Sequence, residues 1–248
     1  MLFEERAEKI LSAVDRKGSA SVTELALEIG TSESTIRRDI AALDKQGKLK
    51  KVYGGAARTS NPVFTDEYDV QTKSAMNIEQ KQKIAEYAAK TINDGDFVFI
   101  DAGTTTLMMI PYIKASGAVF VTNGIAHAKA LIQAGFKTYI TGGQLKFTTE
   151  AIIGHDAAAF IEKYNFTKAF MGTNGIDTER GFTTPDIDEA LIKEAAIKHS
   201  YISYILADSS KFKQISSVTF AKIENACIIT DKPCDESFNK LTVVKSVL

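Results

Sequence analysis

The sequence predicts an α/β protein in two parts: a small winged helix-turn-helix at the N-terminus and, behind it, a Rossmann-like parallel α/β domain. Three observations predict this. Short helical patterns and a Gly54-Gly55 turn fill residues 1–58, with a local excess of basic charge. From residue 77 onward, strand-like and helical runs alternate. Polar, glycine-rich turns recur where the strand-like runs end.

A chain of 248 residues is long enough for one sizeable core and a second, smaller one. Its 44% hydrophobic and 25% charged residues are those of an ordinary globular protein. Purely apolar runs such as Ala118–Val121 fall far short of the roughly 20 residues a membrane span needs. The opening "MLFEERAEKI" lacks the basic region and apolar stretch of a signal peptide, so a cytoplasmic protein with no membrane partner is expected. Cys227 and Cys234 build neither a zinc motif nor a disulfide framework, and Cys227 reads as core. His127, His155 and His199 stand singly, so no metal or cofactor is expected.

Taken in order, Ala7, Ile10, Leu11 and Val14 share one helical face, and Gly18 ends the helix. Ser21 and Glu24 match a capping box that opens a second helix through Leu25, Ala26 and Ile29 to Gly30. Thr31 or Ser32 can cap a third, whose Ile36, Ile40 and Leu43 form the buried stripe. Between residues 30 and 58 stand seven basic residues against three acidic ones, a local +4 in a chain of net charge −1. A second helix of such a pair enters the DNA major groove by its N-terminal side chains. Ser32, Ser34, Thr35, Arg37 and Arg38 are therefore candidate contacts to bases or phosphates. "KLKKVYGGAA" reads as a β-hairpin wing that lays Lys48, Lys50, Lys51 and Tyr53 along the phosphate backbone. The competing reading is a three-helix protein-binding module with a solvated basic face.

Residues 59–76, polar and interrupted by Pro62, are expected as a linker to a domain spanning 77–248. There a helix over "NIEQKQKIAEYAAKTI" turns Ile84, Tyr87, Ala88 and Ile92 inward. Strand-like "FVFID", "AVFVT", "KTYIT", "KAFMG", "YISYILAD" and "NACIIT" then alternate with helical runs, as in a parallel sheet covered on both faces. Ligands in such sheets collect at the carboxyl ends of the strands. Those ends carry Asp101 to Thr106, Thr122 to Gly124, Thr141 to Gly143, Gly172 to Gly175 and Asp208 to Lys211. "DAGTTT" combines backbone N–H groups at a glycine turn with hydroxyls at a helix start, which is what a phosphate requires. Further on, Thr184 as N-cap and Pro185 as first residue are expected to open a helix bearing Glu189 and Lys193 on one face. Such a pair is ordinarily a solvated ion pair; beside phosphate loops the lysine becomes a counter-charge and the glutamate a group for hydroxyls or protons.

The stretch Ser21 to Ala56, with "TIRRD" at Thr35–Asp39 and "GGA" at Gly54–Ala56, resembles the DNA-binding signature of the DeoR family of bacterial transcriptional regulators. That resemblance implies binding to repeated operator half-sites as a dimer or a larger oligomer such as a tetramer. The remainder resembles the family's effector domain, which is similar to sugar-phosphate isomerases of the ribose-5-phosphate isomerase type. Its elements match Asp101–Thr105, Thr122-Asn123, Gly142-Gly143, Glu189–Lys193 and Asp208–Phe212. The implied effector is a phosphorylated sugar held by Asp101, Gly103, Thr104, Thr105, Thr106, Thr122, Asn123, Gly142, Gly143, Gly175, Glu189, Lys193, Asp208 and Lys211. Within this set Gly103, Thr104 and Thr105 would hold the phosphate, Lys193 would neutralise it, and Asp101 with Glu189 would grip sugar hydroxyls. "GFTTPD" followed by "EA" is similar to regulators of fructose-utilisation operons, which implies fructose 1-phosphate.

Two functions compete: a repressor that senses a sugar phosphate, and a sugar-phosphate isomerase with a fused DNA-binding head, using Glu189 as base and Lys193 to stabilise an enediolate. Isomerases of that type carry an aspartate-rich loop. Here "GTNGIDTERG" offers only Asp177, displaced beyond the glycine turn, which favours the sensor.

Overall fold

The computed structural model describes residues 1–59, 63–64 and 68–247. Two units follow one another along the chain, Met1–Pro62 and Val63–Leu248.

In the first unit the capping residues set the helix bounds. α1 (Phe3–Lys17) ends at Gly18, which adopts φ 79° and donates its N–H to Val14 O. After β1 (Ser19–Ser21), the Ser21 hydroxyl accepts from Glu24 N–H while the Glu24 carboxylate accepts from Ser21 N–H, opening α2 (Val22–Ile29). Gly30, left-handed at φ 73°, closes α2, and Ser32 caps α3 (Glu33–Lys45). β2 (Lys50–Val52) and β3 (Gly55–Ala57) make the hairpin, and β3 also pairs with β1. Gly55 is required there, because a Cβ would stand 2.2 Å from Ala20 O. Ile10, Leu25, Ile36, Ile40 and Leu43 from the helices bury one core with Leu49 and Ala56.

The second unit opens with β4 (Val63–Phe64) and α4 (Val70–Ala75). Both fall in the 59–76 stretch expected as an aperiodic linker, of which 60–62 and 65–67 lie outside the described residues. Asp69 caps α4, accepting from Thr72 N–H at 2.7 Å; six residues are too few to show a helical period in sequence. There follow α5 (Ile78–Ala89), β5 (Phe97–Ile100), α6 (Thr104–Met109), β6 (Val119–Thr122), α7 (Ile125–Gln133), β7 (Lys137–Ile140), β8 (Gln144–Lys146), β9 (Ala151–Ile153) and α8 (His155–Ile161). The chain continues through β10 (Phe166–Gly172), β11 (Gly175–Asp177), β12 (Gly181–Thr184), α9 (Ile187–Lys198), β13 (Ser200–Leu206), β14 (Ile215–Ser216), β15 (Val218–Ala221), β16 (Cys227–Thr230), α10 (Glu236–Asn239) and β17 (Val244–Ser246).

Seven of these strands form one parallel sheet in the order β17-β16-β13-β10-β5-β6-β7. Both faces are covered, and the pleat sends alternate residues to opposite cores. Phe99, Val121, Met171 and Ile205 enter one core, while Val98, Ile100, Phe120, Phe170 and Leu206 enter the other. From β5 the chain winds outward through β6 to β7, then returns with β10 on the other side of β5. That reversal opens a crevice at the carboxyl ends of β5 and β10.

One expected helix start is corrected. Thr184 ends β12, held extended and buried by its pairing with Val218 of β15, and Pro185 precedes the helix. Asp186 is the cap of α9, its carboxylate accepting from Glu189 N–H at 2.9 Å.

Candidate functional site

The crevice at the strand reversal is a cavity in the second unit. Of the residues expected to hold an effector, the fold brings Asp101, Gly103, Thr104, Thr105, Asn123, Glu189, Lys193, Asp208 and Lys211 to its wall. Asp101 is its anchor. Only 2% exposed, it accepts on Oδ1 from Gly103 N–H and Thr106 Oγ1, both at 3.1 Å, and on Oδ2 from Gly172 N–H at 2.9 Å and from Lys193 Nζ. Lys193 Nζ also donates to Gly172 O at 3.1 Å. One carboxylate thereby ties the turn after β5 to the end of β10 and to α9.

Glu189, one turn before Lys193, accepts on Oε1 from Lys146 Nζ at 3.0 Å and Thr149 Oγ1 at 2.9 Å. Asn123 accepts from Ala102 N–H at 3.0 Å and donates to Ile152 O at 3.0 Å, bracing the loop after β5 against β9. Asp208 accepts from Ser210 N–H at 3.0 Å and from Asn77 Nδ2 at 3.1 Å.

Other expected residues stand behind the wall. Thr106, fully buried, turns its hydroxyl to Asp101 and to the Gly103 carbonyl, and Thr122 Oγ1 accepts from Gly124 N–H at 3.1 Å. Gly142 and Gly143 lie between β7 and β8, where Gly143 takes φ 138° against Ile153 O. Gly175 allows a close approach of backbones, since a Cβ there would stand 2.3 Å from Gln214 O. These glycines shape turns and crossings away from the cavity lining.

Two residues important to the site escaped sequence reasoning. His127 is buried, with Nε2 2.9 Å from the Gly103 carbonyl and 3.1 Å from Thr106 Oγ1. Burial pushes its pKa down to about 4, so the ring is neutral at pH 7 and supports the Gly103 turn as a donor. Lys81, 5% exposed, lines the cavity and reaches Thr104 Oγ1 at 3.2 Å. A signal for it existed: Lys81 occupies the i position of the buried stripe Lys81, Ile84, Ala85, Ala88 on α5, where a charge needs a reason.

On the first unit, Ser34, Arg37, Arg38, Lys48, Lys50, Lys51 and Tyr53 are all exposed, and Thr35 is half-buried. Ser32 is a helix cap whose hydroxyl lies 2.9 Å from those of Ser34 and Thr35. Arg37 pairs with Glu33 at 2.7 Å across one turn of α3. Asp39, by contrast, faces inward and holds Arg6 of α1 through two hydrogen bonds of 2.7 and 3.1 Å. Lys51 N–H donates to Asp44 Oδ1 at 2.8 Å, docking the hairpin on α3.

Two family models match this chain: a DeoR-like helix-turn-helix domain over residues 6–61 and a DeoR C terminal sensor domain over residues 76–232. It is 45% identical to the uncharacterized HTH-type transcriptional regulator FruR of Bacillus subtilis, over 100% of this chain and 99% of the relative. The HTH-type transcriptional regulator GlpR of Haloferax volcanii is 35% identical over 95% and 92% of the two chains. The lactose phosphotransferase system repressor of Staphylococcus epidermidis is 31% identical over 92% and 91%. Among solved structures, ribose 5-phosphate isomerase A from Methanocaldococcus jannaschii is similar at 14% identity and a TM-score of 0.41, over 55% of each chain. No helix among the described residues is long and apolar enough to cross a membrane.

Proposed function

The chain belongs to the DeoR family of transcriptional regulators and is a regulator rather than an enzyme; on that premise we propose that it represses a sugar-utilisation operon and is controlled by a phosphorylated sugar in the cavity of its second unit. The observation that carries this reading is the mixture of groups in that cavity. Lys73, Lys81, Lys193 and Lys211 line it together with the hydroxyls of Thr104 and Thr105 and the carboxylates of Glu189 and Asp208. Ammonium and hydroxyl donors suit a phosphate, and carboxylates suit sugar hydroxyls.

In this reading the roles divide by what each side chain already holds. Asp101, with four protein donors on two oxygens, positions Lys193 and the Gly103 turn, so gripping sugar hydroxyls falls to Glu189, whose two protein donors share Oε1. The third Lys193 proton and the hydroxyls of Thr104 and Thr105 meet phosphate oxygens. Fructose is the proposed sugar and fructose 1-phosphate the proposed effector, on the likeness of Gly181–Asp186 and Glu189-Ala190 to regulators of fructose operons. In the first unit, α3 enters the major groove with Ser34, Arg37 and Arg38 toward bases and phosphates, and the hairpin lays Lys50 and Lys51 on the backbone. Two or more copies of the chain read repeated half-sites.

An operator gel shift titrated with fructose 1-phosphate, other sugar phosphates and free fructose tests the reading. A phosphate ester is expected to alter operator binding at concentrations where free fructose does nothing. Equal action by free fructose rules out the phosphate site.

A further inference from the structure

Tyr68, Lys73, Met76 and Asn77 contribute one wall of the cavity, and they belong to the segment by which the chain enters the second unit. Hydrogen bonds tie that segment to the rest of the second unit. Val70 N–H donates to Thr148 O at 3.2 Å, Asn77 Nδ2 donates to Asp208 Oδ1 at 3.1 Å, and Lys81 Nζ donates to the Lys73 carbonyl in the last turn of α4. The same ammonium reaches Thr104 Oγ1 at 3.2 Å, so one buried cation touches both the entering segment and the turn after β5. α4 has six residues, none of them buried, and it meets α5 through Asn77, which holds a left-handed φ of 52°.

We propose that Lys81 and α4 form a relay, in which an anionic oxygen of the cavity's ligand takes the Lys81 hydrogen bond from the Lys73 carbonyl and frees the last turn of α4. The relay rests on the reading of the cavity as a phosphorylated-sugar site and adds how its occupancy reaches the segment leading from the DNA-reading unit. Hydrogen bonds from an ammonium to an anionic oxygen are shorter and stronger than those to a carbonyl, so the exchange runs toward the ligand. Burial lowers the Lys81 ammonium from its ordinary value while Asp208 opposes the shift, and an anion beside it favours the charged form further. A short helix without buried residues opens at small cost once its C-terminal carbonyl loses a cation.

Hydrogen exchange of the full chain, with and without saturating fructose 1-phosphate or inorganic phosphate, tests this in wild type, Lys81→Met and Lys81→Arg, with a thermal-shift titration to follow binding. In wild type both probes are expected to speed exchange at amides 72–76. Lys81→Met is expected to exchange rapidly there without any probe, to bind the ester about ten- to a hundredfold more weakly, and to lose the α4 response at saturation. Lys81→Arg, which keeps the charge, is expected to retain a response. The wild-type measurement stands even where a variant does not fold. If fructose 1-phosphate stabilises wild type yet leaves α4 exchange unchanged, or if a folded Lys81→Met responds fully, the relay is wrong and the ligand reading survives. If neither probe binds wild type, the ligand reading falls and takes the relay with it.

Discussion

Asp101 and Lys193 form a pair whose structural role is visible and to which the proposed function adds a role in the response. The pair is buried, with 2% and 8% exposure, so removing the lysine strands a carboxylate away from water. Lys193→Met is expected to destabilise the second unit by about 3–5 kcal/mol and to abolish the response to sugar phosphate. Adding Asp101→Asn removes the stranded charge, so the double variant should regain part of the stability without regaining the response; urea denaturation and the operator titration separate the two. His127 supplies a pH dependence whose sign follows from its lowered pKa of about 4. The unfolded chain binds a proton near pH 6.5 that the folded one refuses, so the stabilisation is full above that value and is lost as pH falls toward 4. Wild type should therefore lose about 3 kcal/mol more than His127→Gln between pH 7 and pH 4, read from urea midpoints at each pH. An equal loss in both means that the ring is not held neutral. Gly103→Ala acts differently from a simple block to phosphate: its Cβ would stand 3.0 Å from both Asp101 Oδ1 and Thr106 Oγ1, so it disturbs the turn itself.

Among the elements, α3 and the hairpin behind it are proposed to divide the contacts to DNA between them. Arg37 and Arg38 are exposed on α3, and the Arg37–Glu33 pair is a surface contact of little worth, so both guanidinium groups are available to a duplex. Replacing either with Ala should weaken operator binding by about 1–3 kcal/mol with no change in the melting of the second unit. Losing Lys50 or Lys51 should instead reduce the slope of log affinity against log salt by roughly one per phosphate contact. Operator affinity unchanged in the Arg37→Ala, Arg38→Ala double variant removes α3 from the interface. Asp39, although part of the same "TIRRD" stretch, serves the fold: its pairing with Arg6 couples α3 to α1. Gly55→Ala pushes a methyl group into the Ala20 carbonyl and should destabilise the first unit by about 1–3 kcal/mol, measurable as a lowered melting temperature of the isolated transition.

For the molecule as a whole, a regulator built on this plan must bind ligand and DNA without turning the ligand over. Purified protein incubated with a sugar phosphate that stabilises it is expected to show no aldose–ketose conversion by NMR. Steady product formation that disappears in Glu189→Gln contradicts a pure sensor. A ligand at 100 times its Kd should raise the stability of the second unit by about 2.7 kcal/mol, enough for a thermal-shift screen to identify the effector among sugar phosphates. On the proposal that two or more copies read repeated half-sites, an operator with one half-site deleted is expected to bind far more weakly than the intact repeat in the same gel shift.

Much of this was legible along the chain because it depends on near neighbours. The Ser21–Glu24 box, Gly18, Gly30 and the Gly54-Gly55 turn act over a few residues, and the alternation of Val98, Phe99 and Ile100 states that both faces of a strand are buried. The turns at the strand ends were visible too, and with them part of the cavity wall. Which of those turns meet was decided only by strand order. Placing β10 beside β5 brings together Asp101 and Lys193, 92 positions apart, and leaves Gly142, Gly143 and Gly175 with turns and crossings elsewhere. The same packing holds Thr184 extended and moves the cap of α9 to Asp186. It also turns Lys81 inward and makes His127 a neutral donor. Periodicity and capping follow from backbone hydrogen bonds within one element, whereas the fate of a buried charge depends on partners that distant segments deliver, and those partners exist only once the sheet has assembled.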